Sequence, residues 1–406
     1  MISIYDVNDF YEWLKKLSGG HEKRKIDMKK IYSYMLLCLV IFALCGCSHR
    51  ESEKKVKVSV RDAFSLDGVY QQKYDNLIIP DRLSLKQRDL YTMECQIPDY
   101  DNKKLSGEIR KVLKKEYQID LKKDIENEEG TYPYGPAYTS GNMYIAAGCT
   151  GFYTENLSNE TFTMFDRSNQ IEKEYDVEKG YQDEAVKLAD GSRMKVSEIQ
   201  KIAQGYLDDR LTILGIAKND SLKITKIYVV QPENAKSYVC VWLENVINGI
   251  TVFDISDSRE ALEGKYVPCY GGELIITGKN KIVSGTLYNS GALEIIHKKT
   301  KQDKVISAKD AVALLSKTLS KNTKYHVKSI DVKYLAAYKK NMQLENPSRY
   351  KGQKIHKKDA SWSLTCSYDV FALNPYWIIT LDDTFQKEIV GLVNCLDGQV
   401  KFICNQ

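Results

Sequence analysis

The chain has 406 residues, with 59 Lys and Arg against 54 Asp and Glu and a hydrophobic content of 43%. A formal net charge of +5 over this length lacks the clustered basic excess of a nucleic-acid binder, so no nucleic-acid partner is expected. Ordinary apolar content excludes wholesale disorder, and the length allows two or three domains with a real core.

Residues 1–27 carry Tyr5, Phe10, Tyr11, Trp13 and Leu14, then Gly19-Gly20 and the basic run Lys23-Arg24-Lys25. The simplest reading is that translation starts at Met28. The alternative is a cytoplasmic extension held inside by its basic run. Residues 28–47, MKKIYSYMLLCLVIFALCGC, supply two lysines, an apolar run and a small-residue cleavage site in the order of a secretory signal. Counted from Ile31, the apolar run spans 14 residues, too few for the roughly 20 of a membrane span. Leu44-Cys45-Gly46-Cys47 resembles the lipobox of bacterial lipoproteins, with Cys45 standing where that pattern usually has Ala or Ser. The resemblance implies cleavage after Gly46, a diacylglycerol thioether on Cys47 and a lipid-anchored body on the extracytoplasmic face of the cell membrane. An uncleaved anchor and a buried core helix are the alternatives.

Residues 48–85 read as a charged tether followed by first extended segments at Leu77 to Ile79. Tyr91 to Ile97 is strand-like, and residues 86–189 are expected to form an N-terminal α+β domain. Leu105 to Tyr117 has Ile109, Val112 and Leu113 on one face, which predicts a helix capped by Ser106. From Gly130 to Tyr153, Gly and Pro break regular structure among Tyr132, Tyr134, Tyr138, Tyr144 and Tyr153. Tyrosine joins an apolar ring to a polar tip, so these five are candidate ligand-binding residues. The plainer reading packs them into an irregular β-core. Seven cysteines follow Cys47, an odd number. Buried thiols are expected, with Cys95–Cys149 and Cys395–Cys404 bridges as the alternative.

From Asp190 the chain repeats itself. Ser197-Glu198-Ile199-Gln200 reads as a capping box opening a helix with Ile199, Ile202, Ala203 and Tyr206 on one face. Extended runs at 224–230 and 238–243 follow, then an Asn248-Gly249 turn into 250–253, and a hairpin over 273–283. After a basic linker at 298–304, Ser307 caps a second helix. It precedes extended runs at 327–334, 361–370, 376–381 and 389–395, and an Asp397-Gly398 turn of the type I′ kind. Units 190–297 and 305–406 are thus each a helix followed by an antiparallel meander, an α+β arrangement.

The Ser-x-x-(Asp/Gln) helix start, Pro375-Tyr376-Trp377-Ile378-Ile379 and Val393-x-x-Leu396-Asp397-Gly398-Gln399-Val400 resemble a PepSY-type (cystatin-like) domain, with Asn394-Cys395-Leu396 replacing its usual acidic run. The tandem arrangement over 190–406 on a tethered chain is similar to the YycH/YycI regulatory proteins of Gram-positive bacteria and to uncharacterised clostridial lipoproteins. That resemblance implies binding or regulation outside the membrane, often by holding a kinase or protease partner, with no catalytic residue to carry over.

Motifs for metalloproteases, serine hydrolases, P-loops and dinucleotide binding are missing, and His49, His297, His326 and His356 are scattered. Asp254, Asp257 and Glu260 read as a helix cap rather than a metal cluster, so no metal or cofactor is expected. The expectation is a non-enzymatic binding or regulatory lipoprotein with a protein or peptide partner in the membrane or envelope. A divergent cell-envelope hydrolase is the alternative.

Overall fold

The structure, a computed structural model, describes residues 56–96, 102–116, 118–119, 127–132, 135–140, 143–148, 151–156, 171–215, 221–232, 236–255, 266, 269–279, 281–288, 293–338, 371–383 and 388–404. In chain order, β1 (Val58–Ser59) leads into short helices α1 (Val60–Ala63) and α2 (Asp67–Gln71), then β2 (Leu77–Ile78) and β3 (Tyr91–Gln96). Helix α3 (Asn102–Glu116) precedes four strands, β4 (Asn127–Tyr132), β5 (Gly135–Ser140), β6 (Met143–Gly148) and β7 (Gly151–Asn156). Strand β8 (Ile171–Asp176) and the hairpin β9 (Ala185–Lys187) to β10 (Arg193–Lys195) deliver the chain to α4 (Val196–Ile213). Then come β11 (Leu222–Val230), β12 (Tyr238–Ile247), β13 (Ile250–Thr251), β14 (Tyr270–Gly278), β15 (Lys281–Tyr288), β16 (Glu294–Lys301) and β17 (Lys304–Val305). The last elements are α5 (Ala308–Thr318), β18 (Tyr325–Tyr338), β19 (Phe371–Asp382), β20 (Glu388–Asn394) and β21 (Val400–Cys404). The protein is α+β, as expected.

Two large sheets carry the fold. The first is antiparallel in the order β4-β5-β6-β7-β15-β14-β12-β11-β8, with β13 returning on β12. Alternation along β12 sets its two faces. Val239, Val241 and Leu243 meet Ile199, Ala203 and Leu207 of α4, while Tyr238 and Cys240 join Val230 and Ile275 on the other side. The same α4 face shares its core with Ile109 and Leu113 of α3.

The second sheet runs β16-β3-β19-β18-β2, with β20 and β21 continuing from β19. On β19, Trp377, Ile379 and Leu381 turn toward Ala311, Val312 and Leu315 of α5, and Tyr376 and Ile378 turn the opposite way onto Ile255 and Tyr266. The Trp377 Nε1–H donates to the Ile306 carbonyl at 2.8 Å, tying the approach to α5 to the sheet. Each sheet admits its helix over a glycine. A Cβ on Gly285 would meet the Tyr206 hydroxyl of α4 at 2.4 Å, and one on Gly391 would meet Leu315 of α5 at 2.5 Å.

Several expectations are corrected. Residues 86–189 are not a separate domain: β3 lies in the second sheet between β16 and β19, and β4 to β8 extend the first. Part of the supposed tether, from Val58, is built in, since β1 pairs with β17 and β2 with β18. The stretch 298–304 is no linker, because it forms the end of β16 and the start of β17. From Lys55 to Gln406 the chain is one compact unit. The physical reason is that strands satisfy their backbone groups with whichever edge the topology brings near, and such long-range pairing leaves no local periodicity.

The local corrections concern caps and turns. Ser106 does not cap α3, which starts at Asn102; its hydroxyl meets that of Tyr138 at 2.6 Å. Helix α4 begins at Val196, where Glu198 accepts from the Lys195 N–H at 3.1 Å and Asp183 accepts both the N–H and the hydroxyl of Ser197. Asn248 and Gly249 take φ of 53° and 71°, as the hairpin turn requires. At Asp397-Gly398 only the glycine has positive φ. The five residues between β20 and β21 form a wider loop, in which Asn394 accepts from Leu396 N–H and Asp397 from Gln399 N–H. The run at 361–370 lies outside the described residues.

Candidate functional site

Cys47 and Gly46 lie outside the described residues, as does Tyr134. Tyr132, Tyr144 and Tyr153 fall on β4, β6 and β7, with side chains outside the description. Tyr138 is buried at 2% exposure, bonded to Ser106, with the Arg110 guanidinium 5.5 Å from its ring. It packs α3 onto β5 and presents nothing to a ligand, in line with the plainer reading of that tyrosine.

The structure instead opens a groove beside β2. Its cavity is about 730 Å³, and it is lined by Tyr70, Tyr74, Leu77, Ile79, Pro80 and Lys324 together with Lys73, Asp75 and Asp81. Strand β2 is the last strand of its sheet among the described residues, held parallel to β18 by Leu77↔Tyr325 and Ile78↔His326. In a parallel ladder the two backbone groups of one residue face the same way. The Asn76 carbonyl accepts the Tyr325 N–H at 2.9 Å, so the N–H and C=O of Leu77 face outward. Of the four large hydrophobic side chains exposed among the described residues, two flank this edge: Ile78 at 42% and Tyr70 at 41%. The lining charges balance, two lysines against two aspartates.

Asn76 positions the groove, and sequence reading gave it no role. It is 1% exposed, and its Nδ2 donates to the Ser316 carbonyl at 2.9 Å and to the Ser320 carbonyl at 3.2 Å, past the end of α5. The Ser316 hydroxyl donates back to its Oδ1 at 2.5 Å. One side chain thereby satisfies carbonyls a helix end leaves open and joins α5, β2 and β18. Its partners stand some 240 positions away, so no local pattern announces it. Tyr70 fastens the far lip by accepting the Leu83 N–H at 2.7 Å. The Tyr74 hydroxyl is buried without a hydrogen-bond partner among the described residues. Burial first, then the charge of Asp310, pushes its pKa up to about 12, so it stays a neutral phenol at the groove floor.

The remaining candidates for chemistry are interior. Cys95, Cys269 and Cys395 are free, buried thiols, and Cys240 is buried as well, so neither the Cys95–Cys149 nor the Cys395–Cys404 bridge forms. Burial pushes Cys95 up to about 12 despite Lys299, and raises Cys269 and Cys395 well above the usual thiol range. They behave as small hydrophobes. Asp254 accepts the Cys269 N–H at 3.2 Å, while Asp257 and Glu260 lie outside the described residues. Among the described residues, no group of three or more His, Cys, Asp or Glu is placed to hold a metal ion, and no helix is long and apolar enough to cross a membrane.

No family model matches the chain, and no curated protein matches it. Among solved structures, the crystal structure of an uncharacterized protein from Eubacterium rectale ATCC 33656, at 1.45 Å resolution, is similar with a TM-score of 0.51. The two share 11% identity over 81% of this chain and 91% of that one. The likeness concerns the fold alone.

Proposed function

We propose that this chain is a lipid-anchored, extracytoplasmic module that binds or regulates a protein or peptide partner and performs no catalysis. The lipobox at Leu44 to Cys47 supports the anchor. The observation that carries the binding role is the β2 edge, where an outward-facing backbone pair sits between exposed Tyr70 and Ile78 above a groove. An extended peptide adds to such an edge through main-chain hydrogen bonds, and the groove takes its alternate side chains. The balanced lining selects by shape and backbone pairing rather than by net charge. The rival hydrolase reading needs a nucleophile with a base; this lining supplies tyrosine, glutamine, lysine, aspartate and aliphatic groups, and neither His nor Cys. Helices α4 and α5, each laid on a sheet over a glycine, support reading the two halves as related, PepSY-like units.

Two measurements test the proposal. Radiolabelled palmitate should enter the wild-type chain and not Cys47→Ala. Capture of partners from detergent-solubilised membranes should drop at least roughly tenfold in Ile78→Asp, with the urea midpoint nearly unmoved because the site is exposed. Capture unaffected by Ile78→Asp, together with turnover of a wall-derived substrate, would overturn the binding role.

A further inference from the structure

Strand β18 runs for 14 residues, and β19 pairs with it along one edge from His326↔Asp382 to Tyr338↔Phe371. The opposite edge is filled only in places. Strand β2 covers Tyr325 and His326. The chain leaving β13 covers Tyr334, whose carbonyl accepts the Phe253 N–H at 2.7 Å, and Tyr266 bridges Ala337. Between these flanks, no strand pairs with this edge from Ser329 to Lys333 among the described residues. Tyr334 faces away from β19, because its register partner Pro375 gives its own carbonyl to the Cys395 N–H on the far side. That orientation recurs every second residue, so the N–H and C=O of Ile330 and Val332 face the gap. The Val332 N–H donates to the carboxylate of its own neighbour, Asp331, at 2.8 Å. The other three groups have no hydrogen-bond partner among the described residues. Lysines flank Asp331 on its own strand, but each is engaged elsewhere: Lys328 with Asp382 at 2.5 Å and Lys333 with Glu244 at 3.7 Å. Asp331 itself is exposed and has no ion-pair partner among the described residues.

We infer that this gap in the row of β2 docks an extended polypeptide segment carrying a lysine or arginine, and that Asp331 holds the gap shut until that segment arrives. Backbone groups repeating every second residue, about 6.6 Å apart, match an extended chain and no compact ligand. The incoming strand gives a carbonyl to the Val332 N–H in place of Asp331, and its own N–H groups reach the open carbonyls of Ile330 and Val332. With β2 on one side and Phe253 on the other, about five residues fit. Asp331 lies opposite Ile378 in register and shares its face of the sheet. Once released from the Val332 N–H, its carboxylate meets the side chain that the incoming strand presents on that face. A basic residue there supplies the counter-charge that Lys328 and Lys333 do not. The site uses a different row from the outward pair of Leu77, so it goes beyond the β2 groove. A charge turned onto an open edge also deters pairing between copies, but a guard alone would favour neither sign of peptide.

The test uses the full-length chain in detergent and two acetylated, amidated probe peptides, Thr-Val-Thr-Lys-Thr-Val-Thr and the same sequence with Glu for Lys. Amide hydrogen exchange is read residue by residue at Ile330 and Val332, with Val241 on β12 as the control. Without probe, Asp331→Ala should speed exchange at Val332 roughly threefold and leave Val241 unchanged. At millimolar concentration the Lys probe should slow Ile330 roughly threefold more than the Glu probe does, and Asp331→Lys should reverse that preference. The site is exposed, so an unmoved urea midpoint shows that Asp331→Lys is folded. Methylating the backbone nitrogens of the Lys probe should abolish its effect. Equal slowing by both probes, or by neither, would overturn the inference and leave the β2 groove to its own test with Ile78→Asp. Unchanged Val332 exchange in Asp331→Ala would remove the guard. Slowing at Ile330 that grows with the concentration of the chain itself, without probe, would make the occupant a second copy and overturn the inference as well.

Discussion

Arg210 is 1% exposed between α3 and α4, clamped by Glu116 through two bonds of 3.0 and 2.6 Å and lying 4.2 Å over the Tyr206 ring. Burial opposes its charge, but the hydrogen bonds and charge of Glu116, with the polar group of Tyr206, more than restore it, raising its pKa above the usual guanidinium value. Glu116→Gln leaves the cation without its counter-charge and should cost about 2–3 kcal/mol in urea denaturation. That falls short of the 3–5 of a fully buried pair, because Glu116 keeps 36% of its side chain in water. Arg210→Met removes charge and desolvation cost together and should cost less than Glu116→Gln, the reverse of a ranking by side-chain volume. At Asn76, replacement by Asp turns a donor to helix-end carbonyls into an acceptor at the negative end of a helix. It should destabilise by about 2–4 kcal/mol, more than Asn76→Ala, in the same measurement.

At the scale of elements, helix starts divide by where their partners lie. Ser307 accepts the Asp310 N–H at 3.1 Å within a single turn, and both residues stand three apart in sequence, so this cap was legible. The start of α4 draws on Asp183, 14 positions upstream, and its Ser197 was mistaken for the cap. The Ser197 N–H, followed by its hydroxyl and Lys195, holds the Asp183 carboxyl below its ordinary value of 3.8. A depressed folded-state pKa contributes stability that is fully present above the unfolded value near 4 and lost as pH falls through the folded one. The urea midpoint should therefore decline below about pH 4, and Asp183→Asn should show a shallower decline over that window. The Asp397-Gly398 turn shows the same division. Its glycine was read correctly, while the loop's width is set by the Asn394 and Asp397 side chains accepting from the backbone ahead of them.

Across the whole molecule, the two ends of the described chain build one layer. The core under α5 takes Val60, Ala63, Phe64, Leu77 and Met93 from the N-terminal side, together with Trp377 and Val393 from the C-terminal side. Phe64 meets the Trp377 ring at a centroid distance of 5.1 Å. A chain of residues 190–406, the two repeats by themselves, would lack β2, β3 and those core residues. It should give no cooperative urea transition and bind a hydrophobic dye, whereas residues 55–406 should unfold in one step. A cooperative 190–406 would restore the tandem-domain boundaries expected from the pattern.

The sequence by itself determined the α+β class, the two amphipathic helices and the Asn248-Gly249 and Ser307 signals, because each is written within a turn or two of chain. The joining of β1 to β17, the insertion of β3 and the Asn76 hub were decided by tertiary structure alone. These depend on which strand edges and helix ends meet across more than 200 residues, and backbone hydrogen bonding, the same for every residue type, leaves no mark of that choice in composition or spacing.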